Sequence, residues 1–146
     1  MATSRPVPLA DLKLYAKVHY PAKDGKVRHG VILRVWRQGE AVPEYLRKYL
    51  PKPSASGDLL LVVACTSSRP LDHHEDKTVF VPNGSRGSKA LRLNCDSWFK
   101  GKMVEVIPTS AVESVSGSAP PGIGQDLERL LPCVPEEPEP ELANDV

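Results

Sequence analysis

Residues 59–65 read Leu-Leu-Leu-Val-Val-Ala-Cys, the longest unbroken apolar run in the chain. Seven residues fall well short of the roughly 20 that a membrane-spanning helix needs, and short of a typical core helix. A run of this length and β-branched content fits a central strand buried on both faces, which requires a sheet with a hydrophobic layer on each side. The rest of the chain must supply those layers and the flanking strands. At 146 residues there is room for one domain with a real core and no second full domain.

The flanking pattern supports such a sheet. In 12–20, Leu12, Leu14, Ala16, Val18 and Tyr20 alternate with Lys13, Lys17 and His19, which predicts a first strand. The Pro, Asp-Gly and Gly of PAKDGKVRHG predict a basic loop, followed by a second strand from Val31 to Trp36. Between Arg37 and Asp58 the pattern changes. Residues 44–50 space their large apolar side chains three and four apart between Pro43 and Pro51, predicting a short helix in an inserted excursion, with Trp36, Tyr45 and Tyr49 packing it down onto the sheet or a second subunit. Three shorter strands are predicted at Thr78–Val81, Ala90–Leu93 and Met103–Ile107. Leu127, Leu130 and Leu131 share one face of a predicted C-terminal helix over 125–131. Short strands at this spacing point to a mainly β fold, a small barrel.

Residues 132–146 alternate Pro and Glu and have no apolar face, so they are expected to be a disordered tail. The five acidic side chains there leave 19 basic against 13 acidic residues in the body, a charge of +6 hidden behind the overall +1. A body of that sign suits a polyanionic partner, and solvated surface lysines alone would also produce it. The N-terminal residues carry no basic start followed by an apolar stretch, so a cytoplasmic protein without a membrane span is expected. Three widely spaced cysteines fit reduced thiols better than a disulfide framework or a zinc site. His73-His74 with Glu75 and Asp76 repeats no ligand spacing, so no metal or other cofactor is expected.

Two segments combine polar chemistry with a rigid strand end. One is Lys23 to His29, with Lys26, Arg28 and His29; the other is Thr66-Ser67-Ser68-Arg69, directly after the buried run. Hydroxyls fixed at the end of a core strand are well placed to grip a phosphate. Such residues also routinely satisfy turn backbone groups, and by spacing alone that ordinary reading is favoured.

The ordered series DLKLYAKVHYPAKDGKVRHGVILRV, LLLVVACTSSRP, LRLNCDSWFKGKMVEVIPTSAV and GIGQDLERLL resembles the MazF/PemK-like toxins over about residues 11–131, omitting the 37–58 excursion. The resemblance implies a small SH3-like barrel of the MazF/PemK/CcdB type, spanning 1–131 with a short inserted helix and a C-terminal helix. It implies a metal-independent, sequence-selective endoribonuclease toxin that cleaves single-stranded messenger RNA, works as a homodimer and is held by a cognate antitoxin protein. It places Arg28 on the family's conserved arginine and Thr66 on the threonine that partners it, as catalytic residues, with Lys26, His29, Ser67 and Ser68 binding substrate. His29 and Arg34, close to Arg28, leave the register of that arginine open. Gly30 departs from the pattern, since the family usually carries Pro or Ala there, and the excursion is longer than the usual link. Two alternatives share the fold: a non-catalytic RNA- or protein-binding module, and a gyrase-poison relative whose contacts sit on the C-terminal helix. Trp98 and Phe99 could stack on bases, but the resemblance puts this segment in the barrel core. The acidic tail could fold back as a weak RNA mimic, although its prolines favour a plain solubilising extension.

Overall fold

The 59–65 run occupies the interior of the sheet. In a computed structural model that describes residues 9–51, 57–67 and 77–132, it forms the strand β3 (Leu59–Thr66), flanked by β2 (Val27–Trp36) and β5 (Ser97–Pro108). Its side chains alternate between two hydrophobic clusters. Leu61, Val63 and Cys65 join Val31, Leu33, Phe99 and Val104 on one face, while Leu60, Val62 and Ala64 join Val18, Tyr20 and Ile32 on the other. Each Leu or Val so buried contributes about 1.5–3 kcal/mol, which makes β3 the anchor of both layers.

The remaining strands are β1 (Ala16–Pro21), β4 (Thr78–Val81) and β6 (Ser114–Ser118). Together the six form one antiparallel sheet in the order β4-β5-β3-β2-β1-β6, curled into a half-barrel with β4 and β6 at its edges. Register shifts between Ile32 and Arg34 in the β2–β3 ladder, and between Val63 and Cys65 in the β3–β5 ladder, supply the bending. Among the described residues helices are few: α1 (Arg86–Ala90), α2 (Pro121–Glu128) and 3-10 turns at Leu9–Asp11, Glu44–Tyr49 in the excursion and Thr109–Ala111. Leu46 of the excursion turn is buried beside Trp36 and Val42, with Tyr45 and Tyr49 packed against the same cluster, as the spacing predicted. No helix among the described residues is long and apolar enough to cross a membrane. The 132–146 tail lies, apart from Pro132, outside the described residues.

Several elements differ from the sequence reading. The first strand begins at Ala16, because Tyr15 adopts a left-handed backbone (φ 71°) and turns its ring onto Gly124 of α2. That kink breaks the alternation and leaves Leu14 49% exposed. The second strand starts four residues early, so Val27, Arg28 and His29 belong to β2, and the connecting turn shrinks to 22–26 with Gly25 at φ 84°. Residues 90–93 are not a strand. Ser85 caps α1 by accepting the Ser88 N–H at 3.1 Å, and this capping signal prevails over the Leu91/Leu93 alternation. The fifth strand extends back through 97–102, where it pairs with β3 and β4 at once. The edge strand β6 has a polar sequence, SVSGS, that gives no alternation to read. The terminal helix starts earlier and ends at Glu128, with Leu130 and Leu131 buried in the turn beyond it.

Gly30 has a packing reason to be glycine. A Cβ there would lie 2.7 Å from the Tyr20 ring and 3.1 Å from the Val63 carbonyl oxygen. Gly30→Ala is therefore expected to destabilise the fold by about 1–3 kcal/mol, the usual cost of overpacking. A lowered urea midpoint with an unchanged m-value would show it.

Candidate functional site: a cationic cleft at the end of the central strand

The ladder between β2 and β3 ends at Gly30 paired with Ala64. Beyond that pair β3 stays bound to β5, through Cys65 with Phe99 and Thr66 with Trp98. Val27–His29 and Cys65–Ser67 become the walls of a cleft of about 290 Å³, closed below by residues 92–95 and Ser97. Two larger hollows, of about 450 and 580 Å³, are lined mainly by apolar and ion-paired groups. The smaller cleft brings three hydroxyls, of Thr66, Ser67 and Ser97, together with Arg28, Arg92 and His29.

Of the residues singled out in the sequence, Arg28, His29, Thr66 and Ser67 all line this cleft. Arg28 and Thr66 each lie two residues beyond the last β2–β3 pair, Gly30 with Ala64, so strand alternation puts each on the same face as its end of that pair. Lys26 does not line it: the residue sits in the hairpin turn, its backbone N–H donating to Asp24 at 3.1 Å. Ser68, Arg69 and the 73–76 segment lie outside the described residues. Among those described, no group of His, Cys, Asp and Glu side chains is arranged to hold a metal ion.

Arg28 is not idle in this arrangement. Its Nε and one terminal nitrogen donate to Asp24 Oδ2 at 2.9 and 2.6 Å, and this hydrogen bonding holds the Asp24 carboxyl below its ordinary range. A guanidinium carries five N–H donors, so three remain beyond those given to Asp24. The Cys65 thiol is raised to about 11 by burial, which keeps it protonated at neutral pH and unsuited to act as a nucleophile.

The polar side chains of β1 are not turned to open solvent. Lys17 is 1% exposed, its Nζ donating to the Arg92 carbonyl at 3.3 Å and lying 3.4 Å from His29 Nδ1. His19 packs against His29 with ring centroids 4.1 Å apart and planes tilted by 47°, and its Nδ1 lies 2.9 Å from Ser114 Oγ. Only β6 and the 91–93 segment, neither legible in the sequence, convert this strip from surface into the back wall of the cleft.

The second correction concerns Trp98. Phe99 is fully buried as expected, but Trp98 points the other way, stacked on Phe80 with centroids 4.9 Å apart and planes 22° from parallel. Phe80 is 48% exposed. Thr66 pairs with Trp98 and Trp98 with Phe80, so hydroxyl and rings share one cross-strand row. Strand alternation carries the signal in hindsight, since Val81 and Phe99 in the core put Phe80 and Trp98 outside it.

No protein-family model and no curated protein matches this chain.

The histidine pair makes stability depend on pH. Burial first, then the neighbouring bases, lowers both imidazoles below the ordinary 6.5. Glu113 opposes the shift at His19. The unfolded chain takes up these protons near 6.5 while the folded chain resists them to lower pH, so stability is retained above that value and falls as pH drops below it. Urea midpoints are expected to decline between pH 7.5 and 5.5, and the double variant His19→Asn/His29→Gln should flatten the decline.

Proposed function

We propose that the chain is a small-barrel endoribonuclease of the MazF/PemK type that cuts single-stranded RNA without a metal, using the cleft between β2 and β3. The observation that carries the reading is that Arg28 and Thr66 line one cleft, with Thr66 in the same cross-strand row as the Trp98–Phe80 stack. A phosphodiester offers what such an arrangement can take: a charged oxygen pair for a guanidinium and a hydroxyl, and an unstacked base for an aromatic face.

In this reading the RNA 2′-hydroxyl attacks the adjacent phosphorus in line. The P–O bond to the 5′ oxygen breaks, leaving a 2′,3′-cyclic phosphate and a 5′-hydroxyl. Arg28 donates to the nonbridging oxygens as negative charge builds on them, and Thr66 donates its hydroxyl to the same group, with Ser67 at the neighbouring phosphate. An arginine is a poor base, since its pKa exceeds about 12, so the part of Arg28 is charge stabilisation. DNA lacks the 2′-hydroxyl and is not cut. The two open edges, β4 and β6, leave room for the homodimer expected of such a barrel, and the +6 body suits an acidic antitoxin segment as it suits RNA.

A second reading, a non-catalytic RNA-binding module, is favoured by one observation: Asp24 already holds two of the Arg28 donors. Incubation with a long single-stranded RNA in EDTA, followed by mapping of the cut ends, separates the two. Cleavage leaving 5′-hydroxyl ends is expected, and Arg28→Ala and Thr66→Ala should each slow it by about 100–1,000-fold with the fold retained. Tight RNA binding with no cleavage would select the binding module.

The aromatic row gives a further expectation. Losing one stacking partner costs about 1–3 kcal/mol per base, so Trp98→Ala should weaken single-stranded RNA binding by roughly 5- to 150-fold. Fluorescence anisotropy at fixed salt would measure it.

A further inference from the structure

His29 reaches the cleft with its hydrogen bonding set from behind. Lys17 Nζ lies 3.4 Å from His29 Nδ1; burial lowers the Lys17 pKa, and in its ammonium form the group has only donors, so that ring nitrogen then accepts and Nε2 keeps the proton. The neutral ring is then an N–H donor. Adding a second proton is opposed from every side. Lys17 and His19 face the ring from β1, Arg28 is its chain neighbour, Arg92 lines the same cleft, and the Cys65 thiol of β3 is neutral. Of the nearby carboxylates, Asp24 is held by Arg28, and Glu113 acts on His19. Burial and the two β1 bases lower the His29 pKa accordingly.

Lys17 is nearly inaccessible, and its hydrogen-bond contacts are a carbonyl and an imidazole, not a carboxylate. Removing a cation from water without an opposite charge is costly, and an anion bound next to it in the cleft would offset that cost. We propose that His29 and Arg92 form an oxyanion subsite for a phosphate group of the ligand, in which His29 serves as a neutral Nε2–H donor fixed by Lys17. This deepens the polyanion reading of the cleft and rests on it. Successive strand residues point to opposite faces, so His29 approaches the cleft from the side away from Arg28, and the two address different parts of a phosphate chain. Lys17 is a positioning residue that acts through His29.

Nitrogen NMR of the imidazoles in the full chain at pH 7 reads the tautomer directly, and inorganic phosphate and a short single-stranded RNA serve as probes. The expected result is an Nε2–H tautomer at His29, a shift of its resonances on phosphate addition, and phosphate affinity lowered about tenfold or more in Arg92→Gln, the usual effect of losing a charge-assisted hydrogen bond. In Lys17→Gln the tautomer preference should weaken. Arg92 is exposed, so its variant keeps the test decisive should Lys17→Gln fail to fold. An Nδ1–H tautomer, an unshifted His29 or an unchanged affinity in Arg92→Gln would overturn the subsite. Phosphate binding at His29 in a protein that cuts no RNA would uphold the subsite and remove the nuclease reading; cleavage with His29 unperturbed would do the reverse.

Discussion

Burial of β3 on both faces is the constraint from which the rest of the molecule follows. A strand whose neighbours Leu61 and Val63 fill one layer while Leu60 and Val62 fill the other cannot sit at an edge, so β2 and β5 must bind it on either side. It also cannot stay apolar beyond the core. Where it emerges the sequence turns to Thr66 and Ser67, and these hydroxyls inherit the rigidity of the strand because β5 continues to hold it there. The cleft exists since β2 and β3 stop pairing at the same level, one strand held by β1 and the other by β5.

Charge sets the character of that cleft. Arg28 and Arg92 line it and Lys17 stands behind it, against the single Asp24 carboxylate hydrogen-bonded to Arg28. Asp24 is exposed and on a turn, whereas Lys17 is enclosed by β1, His29 and the 92 carbonyl. The exposed Asp24–Arg28 pair is open to screening by salt, whereas the enclosed Lys17 is shielded from it.

Gly30 shows how packing and site are tied. Its missing Cβ admits the Tyr20 ring against the last β2–β3 pair, and the next residues on either strand are His29 and Cys65, the first lining residues of the cleft. A large ring on β1 thus fills the space that a side chain at this position would take. Tyr20 itself is enclosed with a hydroxyl that has no hydrogen-bond partner in the structure, and burial raises its pKa.

The central strand, the β4 segment and a short helical turn between Pro43 and Pro51 were legible in the amino-acid order, because each rests on a local pattern that one burial arrangement satisfies; of the face expected for the C-terminal helix only Leu127 lies on α2, with Leu130 and Leu131 buried in the turn after it. Hydroxyls directly after the central strand and cations before the second were legible too, but spacing alone favoured an ordinary turn and surface; the family resemblance singled out Arg28, His29, Thr66 and Ser67, which line one cleft, and Lys26, which does not. Only the tertiary structure decided that Lys17 is buried, that Arg92 joins the cleft, that Asp24 engages Arg28 and that Trp98 turns outward onto Phe80. These depend on cross-strand register and on which segment covers which face. A lysine between apolar neighbours reads as solvent-facing until β6 and the segment after α1 close over it, and Trp98 and Phe99 are interchangeable until pairing with Thr66 and Cys65 fixes which of the two points into the core.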